Sequence, residues 1–391
     1  NSVSTSHNHQ NILPIQYRTA TMSPAAWKNV LSRHGPSLRA LQSPMSSSFA
    51  PSSLTSSSST ALRGSIHPIR RHASIASFVK GPSIDALPSK DAADLPQLTN
   101  DLRFVQDMVR SYDPSGTLPG RLLPTNQMQL VYYAVRSFWV ETGLRKDAAI
   151  TRSPTEQLDW WQEGIQSVYD KDHEQSSPTL RLLSHLVNDH QIPLTQCHFD
   201  DILKSRRNDL DLTQYPDMEA LNQHAIWSCG SLFQLVLESN DARHHCEIAN
   251  TLGVCHGLTN ALRTSIPVLS TTGKLILPQD LCEKYGVSSP RYLLSALGMG
   301  DATCQRAMRN VVADIVAVAR QHLKEGRDAL AQHNDAALNS VFLPILASET
   351  FLDRLEEHAY DLTDRNLRNV STVEHWQCAM KMAKSAYQNQ I

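Results

Sequence analysis

Asp and Glu are missing from residues 1–84 of this 391-residue chain; the first acid is Asp85. No apolar run approaches the roughly 18 residues that a membrane-spanning helix needs, which excludes a spanning segment. The seven Cys show no paired spacing, which excludes a disulfide scaffold. The Gly-rich phosphate loop and the G-x-S-x-G elbow are also lacking, so neither a P-loop enzyme nor an α/β-hydrolase is indicated. The net charge of −2 averages two unlike parts. Residues 1–84 hold eight Lys/Arg, and residues 85–391 hold 36 − 8 = 28 basic against 38 acidic groups, net −10. An acidic body of that kind argues against nucleic acid as a partner.

What fills the acid-free segment is serine, 20 residues of 84, with Ser56 to Ser59 in a run. Too little apolar surface is present to offset the entropy of ordering it, so disorder is expected. A basic, Ser-rich, acid-free leader reads as a mitochondrial transit segment, a composition that a chloroplast address shares. Trp27, Val30, Leu31 and Leu38 make an apolar stripe with Lys28, Arg33 and Arg39 around it. Met22 is the expected start and residues 1–21 non-native; cleavage is expected near Ala73-Ser74, after Arg70-Arg71.

From residue 85 to 391 the apolar spacing is helical. Met128, Val131, Val135 and Phe138 form one stripe; Leu221, Ala225, Cys229, Leu232 and Val236 form a second. Val312, Ile315, Val316, Ala319 and Leu323 form a third. Each predicts a helix with one face in a core. Pro119-Gly120 and the prolines at 154, 178, 193, 216, 267, 278, 290 and 344 are read as breakers between helices. Pro154-Thr155-Glu156 and Pro216-Asp217-Met218-Glu219 read as helix starts. About ten helices in one all-α domain are expected, with no Gly/Ser linker to divide it.

Other clusters are weighed against packing. His244, His245, Cys246, Cys255 and His256 would face different ways or lie about 16 Å apart on a helix, which does not suit one metal ion. Adjacent Cys255 and His256 cannot act as a nucleophile pair. Trp160 and Trp161 read as core anchors, with a lipid pocket as the alternative. Asp200-Asp201 and Asp209/Asp211 read as first-turn and turn acids, and Asp361 with Asp364 as an exposed helix terminus. No metal and no cofactor are expected.

Two segments carry a family resemblance. Residues 132–141 read YYAVRSFWVE; residues 253–288 include Leu258-Thr259-Asn260-Ala261-Leu262-Arg263 and Gly273-Lys274-Leu275-Ile276-Leu277-Pro278. Leu158-Asp159-Trp160-Trp161 through Tyr169, and Asp209-Leu210 before Tyr215, fit as intermediate landmarks. Together they resemble the squalene/phytoene synthase superfamily over about residues 100–385. The resemblance implies an all-α, single-domain isoprenoid-synthase-like bundle. In the enzymes, two helices place carboxylates at i and i+4 on one face, where they hold Mg²⁺ and the substrate diphosphate. Here the first stretch aligns on Val140, Glu141, Thr142, Gly143 and Leu144, with Arg145 as a surface partner for Glu141. The second aligns on Thr264, Ser265, Ile266, Pro267 and Val268, and Pro267 is expected to end or kink its helix.

With those carboxylates gone, catalytic residues are expected to be none. Tyr133, Arg136, Asn260, Arg263 and Lys274 hold family-pocket positions; they either bind an anion or prenyl-like tail, or hold the fold. The nearest resemblance is to a mitochondrial branch without the Asp-rich motifs that assists complex I assembly. It implies a pseudoenzyme on the matrix side of the inner membrane. Its implied partners are complex I subunits or other assembly factors, with peripheral membrane contact. The alternatives are an active prenyltransferase and a non-catalytic prenyl-lipid binder.

Overall fold

Helix starts are set by side chains that satisfy the free N–H groups of a first turn. Ser153 and Glu156 form a reciprocal capping box with Pro154 in the first turn, and Ser371 with Glu374 form a second box. Asp113, Thr125, Asp217, Asp301 and Asp335 cap five more helices by accepting from first-turn N–H groups. The computed structural model describes residues 81–84, 95–144, 153–171, 175–287, 289–333, 335–368, 370–389 and 391.

In chain order the helices are α1 (Leu95–Tyr112), α2 (Pro114–Leu122), α3 (Asn126–Gly143), α4 (Pro154–Asp170) and α5 (Pro178–Ser184). Then come α6 (Gln196–Asp211), α7 (Met218–Ala225), α8 (Ser231–Glu238) and α9 (Cys246–Thr272). The last are α10 (Gln279–Tyr285), α11 (Pro290–Gly298), α12 (Ala302–Leu330), α13 (Ala336–Val341), α14 (Ile345–Glu357), α15 (Arg365–Arg368) and α16 (Thr372–Gln388). Single π-helical turns follow α5 (His185–Asp189) and join α7 to α8 (Ile226–Gly230). Among the described residues the only strand-like pairing is an isolated bridge between Gln214 and Leu275. The all-α expectation holds, but among the described residues sixteen α-helices replace the expected ten or so. The extra ones are short pieces of four to nine residues, below the length at which an apolar stripe shows a clear period.

All three stripes read from sequence lie in the core. Helix α3 is buried almost all round, so its neighbours enclose it. Each fully buried large side chain contributes roughly 1.5–3 kcal/mol. The two longest helices, α9 and α12, pack side by side, and Gly326 makes room for Leu252: a Cβ there would lie 2.4 Å from Leu252 Cδ2. Gly253 lets α9 cross the π-turn closely, since a Cβ there would lie 2.5 Å from Gly230 Cα. Trp161 is buried and meets Phe138 edge-on at 5.4 Å, with Trp160 beside it, as core anchors do.

Several expectations need correction. Helix α9 does not end at Pro267 but runs five residues further, to Thr272, and stops at Gly273 with φ 72°. Pro267 lacks an N–H and cannot donate to the Arg263 carbonyl, yet the helix continues past it. Glu141 is buried, not at the surface, while Arg145 lies outside the described residues. Asp200 and Asp201 lie in the second turn of α6 rather than the first. Asp361 and Asp364 sit in the partly buried turn before α15, where Asp361 pairs with Arg309 (2.7 Å) and Asp364 with His358 (2.8 Å). The domain also begins before residue 85. Ser83 exchanges two hydrogen bonds with Asn126, and Ile84 joins the core. Charge composition alone sets the boundary at Asp85, and charge does not report packing. The leader, its stripe and its cleavage site lie outside the described residues.

Candidate functional site

Spacing on α3 builds the first wall. Tyr132, Arg136 and Trp139 stand at i, i+4 and i+7, so one helix face carries all three. Arg136 is 1% exposed, and its Nε donates to Asp113, the N-cap of α2. An isolated guanidinium could not be buried there; Asp113 provides the compensating charge. Gly116 clears the space, because a Cβ would come within 2.3 Å of Arg136 Nε. Tyr133 points elsewhere on the turn, donating to the Thr117 carbonyl at 2.7 Å.

Helix α6 builds the second wall. Arg206 Nη2 donates to the Trp139 carbonyl at 3.0 Å, and its guanidinium lies 4.9 Å from the Trp139 ring. Arg136 approaches the same ring at 5.8 Å and the Tyr132 ring at 5.5 Å. One indole therefore lies within cation–π range of two guanidiniums. Asp209 is the nearby acid: 3.8 Å from Arg206 Nη1, 3.1 Å from His224 Nε2, and accepting from Tyr215 Oη at 2.9 Å. Burial pushes the Asp209 carboxyl up, but His224, Arg206 and Tyr215 together hold it below its ordinary value. Lys274 donates to the Asp209 and Leu210 carbonyls at 2.8 and 2.7 Å, closing the end of α6.

The π-turn and α9 complete the cluster. The Asn260 amide reaches Cys229 Sγ at 3.9 Å, and Arg263 donates to Asn260 at 3.4 Å while lying 5.0 Å over Phe351. Burial pushes the Cys229 thiol up, opposed by Ser228, Arg136, Arg206 and Asn260. His256 bonds Ser348 Oγ at 2.8 Å; burial, with Arg136 and Arg263 adding, holds it well below its ordinary value. Asn260 thus joins Cys229 to Arg263, and Arg136 acts on the Cys229 thiol electrostatically, whereas Tyr133 and Lys274 bond to backbone of α2 and α6.

Four donors in the first two walls have no hydrogen-bond partner among the described residues: Tyr132 Oη, Arg136 Nη1, Trp139 Nε1 and Arg206 Nε. Each costs roughly 1–3 kcal/mol if left so. Sequence reasoning missed Asp113, Trp139, Arg206 and His224. The Asp-Pro pair at 113–114 has the form of a helix start, but nothing in it points to an ion partner 23 residues away.

The stretches aligned with the Mg²⁺ motifs do not suit a divalent ion. Glu141 accepts from Ser137 Oγ (3.1 Å) and Thr179 Oγ1 (2.5 Å), so it is engaged with α5. Thr264 and Ser265 return their hydroxyls to the carbonyls of Asn260 and Ala261 on their own helix. One engaged carboxylate does not hold Mg²⁺, which takes hard oxygen ligands in octahedral array. Among the described residues no group of three His, Cys, Asp or Glu could hold a metal ion. His244 and His245 stack at 3.9 Å, and His245 meets His333 at 4.4 Å, while Cys255 and His256 are buried on α9.

The profile of the family described as squalene/phytoene synthase matches residues 109–375. A Bos taurus protein named NADH dehydrogenase (ubiquinone) complex I, assembly factor 6, is 26% identical over 276 residues, covering 69% of this chain and 78% of that one. The Homo sapiens protein of the same name is 26% identical over 298 residues, covering 75% and 85%. Among solved structures, squalene synthase HpnC from Alicyclobacillus acidocaldarius superposes with a TM-score of 0.57 at 17% identity, covering 71% of this chain and 98% of that one. A dehydrosqualene synthase in complex with ligand gives a TM-score of 0.61 at 17% identity, covering 75% and 99%. Both share the fold.

Proposed function

This chain belongs to the squalene/phytoene synthase family, and on that premise we propose that it is a non-catalytic member acting in the assembly of mitochondrial respiratory complex I. The observation that carries the assembly role is its similarity to the mammalian proteins named complex I assembly factor 6, which spans 69–75% of the chain. The non-catalytic part is supported by the side chains at the two motif positions. A diphosphate carries several negative charges, and the enzymes offset them with metal ions held by carboxylates. Here only Glu141 is acidic, and it is spent on Ser137 and Thr179.

The proposal places the mature protein on the matrix side of the inner membrane, with complex I subunits or other assembly factors as partners. The basic, acid-free leader supports import. Among the described residues no helix is long and apolar enough to cross a membrane, so contact with the bilayer is proposed to be peripheral. Protease protection in intact and ruptured mitochondria, with carbonate extraction, tests this placement; a protein degraded outside intact mitochondria contradicts it.

Of the family-pocket residues, Arg136, Asn260 and Arg263 are proposed as the retained pocket, with Tyr133 and Lys274 holding its walls. Purified protein incubated with farnesyl or geranylgeranyl diphosphate and Mg²⁺ should form no product. Product formation that Arg263→Ala abolishes would establish the rival reading of an active prenyltransferase.

A further inference from the structure

We propose that α16 rests on an anionic lipid surface, with Val373, Met380 and Tyr387 entering the headgroup region. These three stand at steps of seven residues, which drift only about 20° per step on an α-helix, so they line one stripe. All three are exposed, with half-buried Trp376 and Ala383 along the same edge. The stripe runs roughly 21 Å along the helix. The opposite face is spent on the fold: Met382 packs with Leu122, Leu343 and Leu346, and Cys378 and Ala386 lie against that cluster.

Charge selects the occupant. Residues 85–391 carry −10, which an anionic bilayer repels. On α16 the one acid is engaged: Glu374 closes its capping box and lies 3.3 Å from Arg354. Lys381 is held by Glu349, and Lys384 is exposed with no ion pair among the described residues. A lysine beside an apolar stripe keeps its ammonium at the phosphates while its stem lies along apolar surface. The aromatics point the same way. A partner helix packs best on Leu, Ile or Val at such seven-residue positions, where Trp376 and Tyr387 are oversized and the tyrosine hydroxyl is polar. At a bilayer interface both ring types bury an apolar body and keep a wet polar end. The inference rests on the peripheral membrane contact proposed for this protein and names its element.

Flotation of the full chain with phosphatidylcholine vesicles, with and without phosphatidylglycerol, tests this. The +8 of residues 1–84 attracts anionic vesicles by itself, so each variant is read against wild type in the same chain, in high salt that screens this attraction. Val373→Ser, Met380→Gln and Tyr387→Ser together should weaken vesicle binding about tenfold or more, with an unchanged melting temperature. Tyr292→Ser with Met299→Gln, exposed on and just after α11 and close to the acid Asp301, should leave binding unchanged. At low salt, Lys384→Glu should weaken binding to vesicles with phosphatidylglycerol and not to phosphatidylcholine alone. Equal flotation by wild type and the triple variant would overturn the inference. So would a wild-type dimer in sedimentation that the triple variant splits, which assigns the stripe to a second copy. Peripheral behaviour in mitochondria without flotation on any vesicle would overturn it too, and assigns the stripe to a protein partner. Flotation that depends on α16, from a chain that ruptured mitochondria release in soluble form, would instead overturn the peripheral reading and leave the lipid face standing.

Discussion

Arg136 shows how a single residue constrains this fold. Its charge is buried with Asp113, and the pair is held between α2 and α3. Removing one partner leaves an uncompensated charge, so Asp113→Ala should destabilise the domain by about 3–5 kcal/mol, read as a fall in the urea midpoint. His256 has a pH signature. Its folded value lies well below 6.5 because burial and two nearby arginines disfavour the proton. Above the unfolded value both states are neutral; below it the unfolded state gains a proton that the folded state refuses. Stability should therefore fall as pH drops below about 6.5, by about 1.4 kcal/mol per unit from this residue. His245 and His322 are lowered too and act in the same direction. Burial raises Glu349, but Arg327 and Lys381 hold it down to about 2, so its contribution is lost only below pH 4.5. Unfolding titrations of His256→Gln should show a shallower slope between pH 6.5 and 5 and an unchanged loss below 4.5. The stripes and the Trp pair were legible because they follow local spacing. Glu141 was not: Thr179, 38 residues on, takes it into the core, and no local pattern encodes that partner.

Among the elements, α9 carries the heaviest packing demands. Gly253→Ala would press a methyl onto Gly230 of the π-turn and should cost about 1–3 kcal/mol, visible as a lower melting temperature without loss of helix by circular dichroism. Pro267 lies in the same helix, half-buried, where it removes one backbone hydrogen bond. Pro267→Ala should restore that bond and raise stability, by at most about 3 kcal/mol. A lower melting temperature would show that the ring packs usefully against its neighbours. Helix identity was readable wherever a stripe spanned three or more turns. The short helices and the passage through Pro267 were not, because neighbouring helices hold them and their own periodicity does not.

At the scale of the whole molecule, the near-neutral charge divides into +8 over residues 1–84 and −10 over residues 85–391. The body has the fold of enzymes that gather carboxylates, yet its central face gathers arginines and an indole. An assembly role draws on surface and stability rather than turnover, which fits that exchange. The most direct test is to delete the gene and measure complex I on native gels, with re-expression of the intact chain and of a chain lacking residues 1–80. Complex I should fall sharply on deletion and return only with the intact chain. Unchanged complex I after deletion would contradict the account.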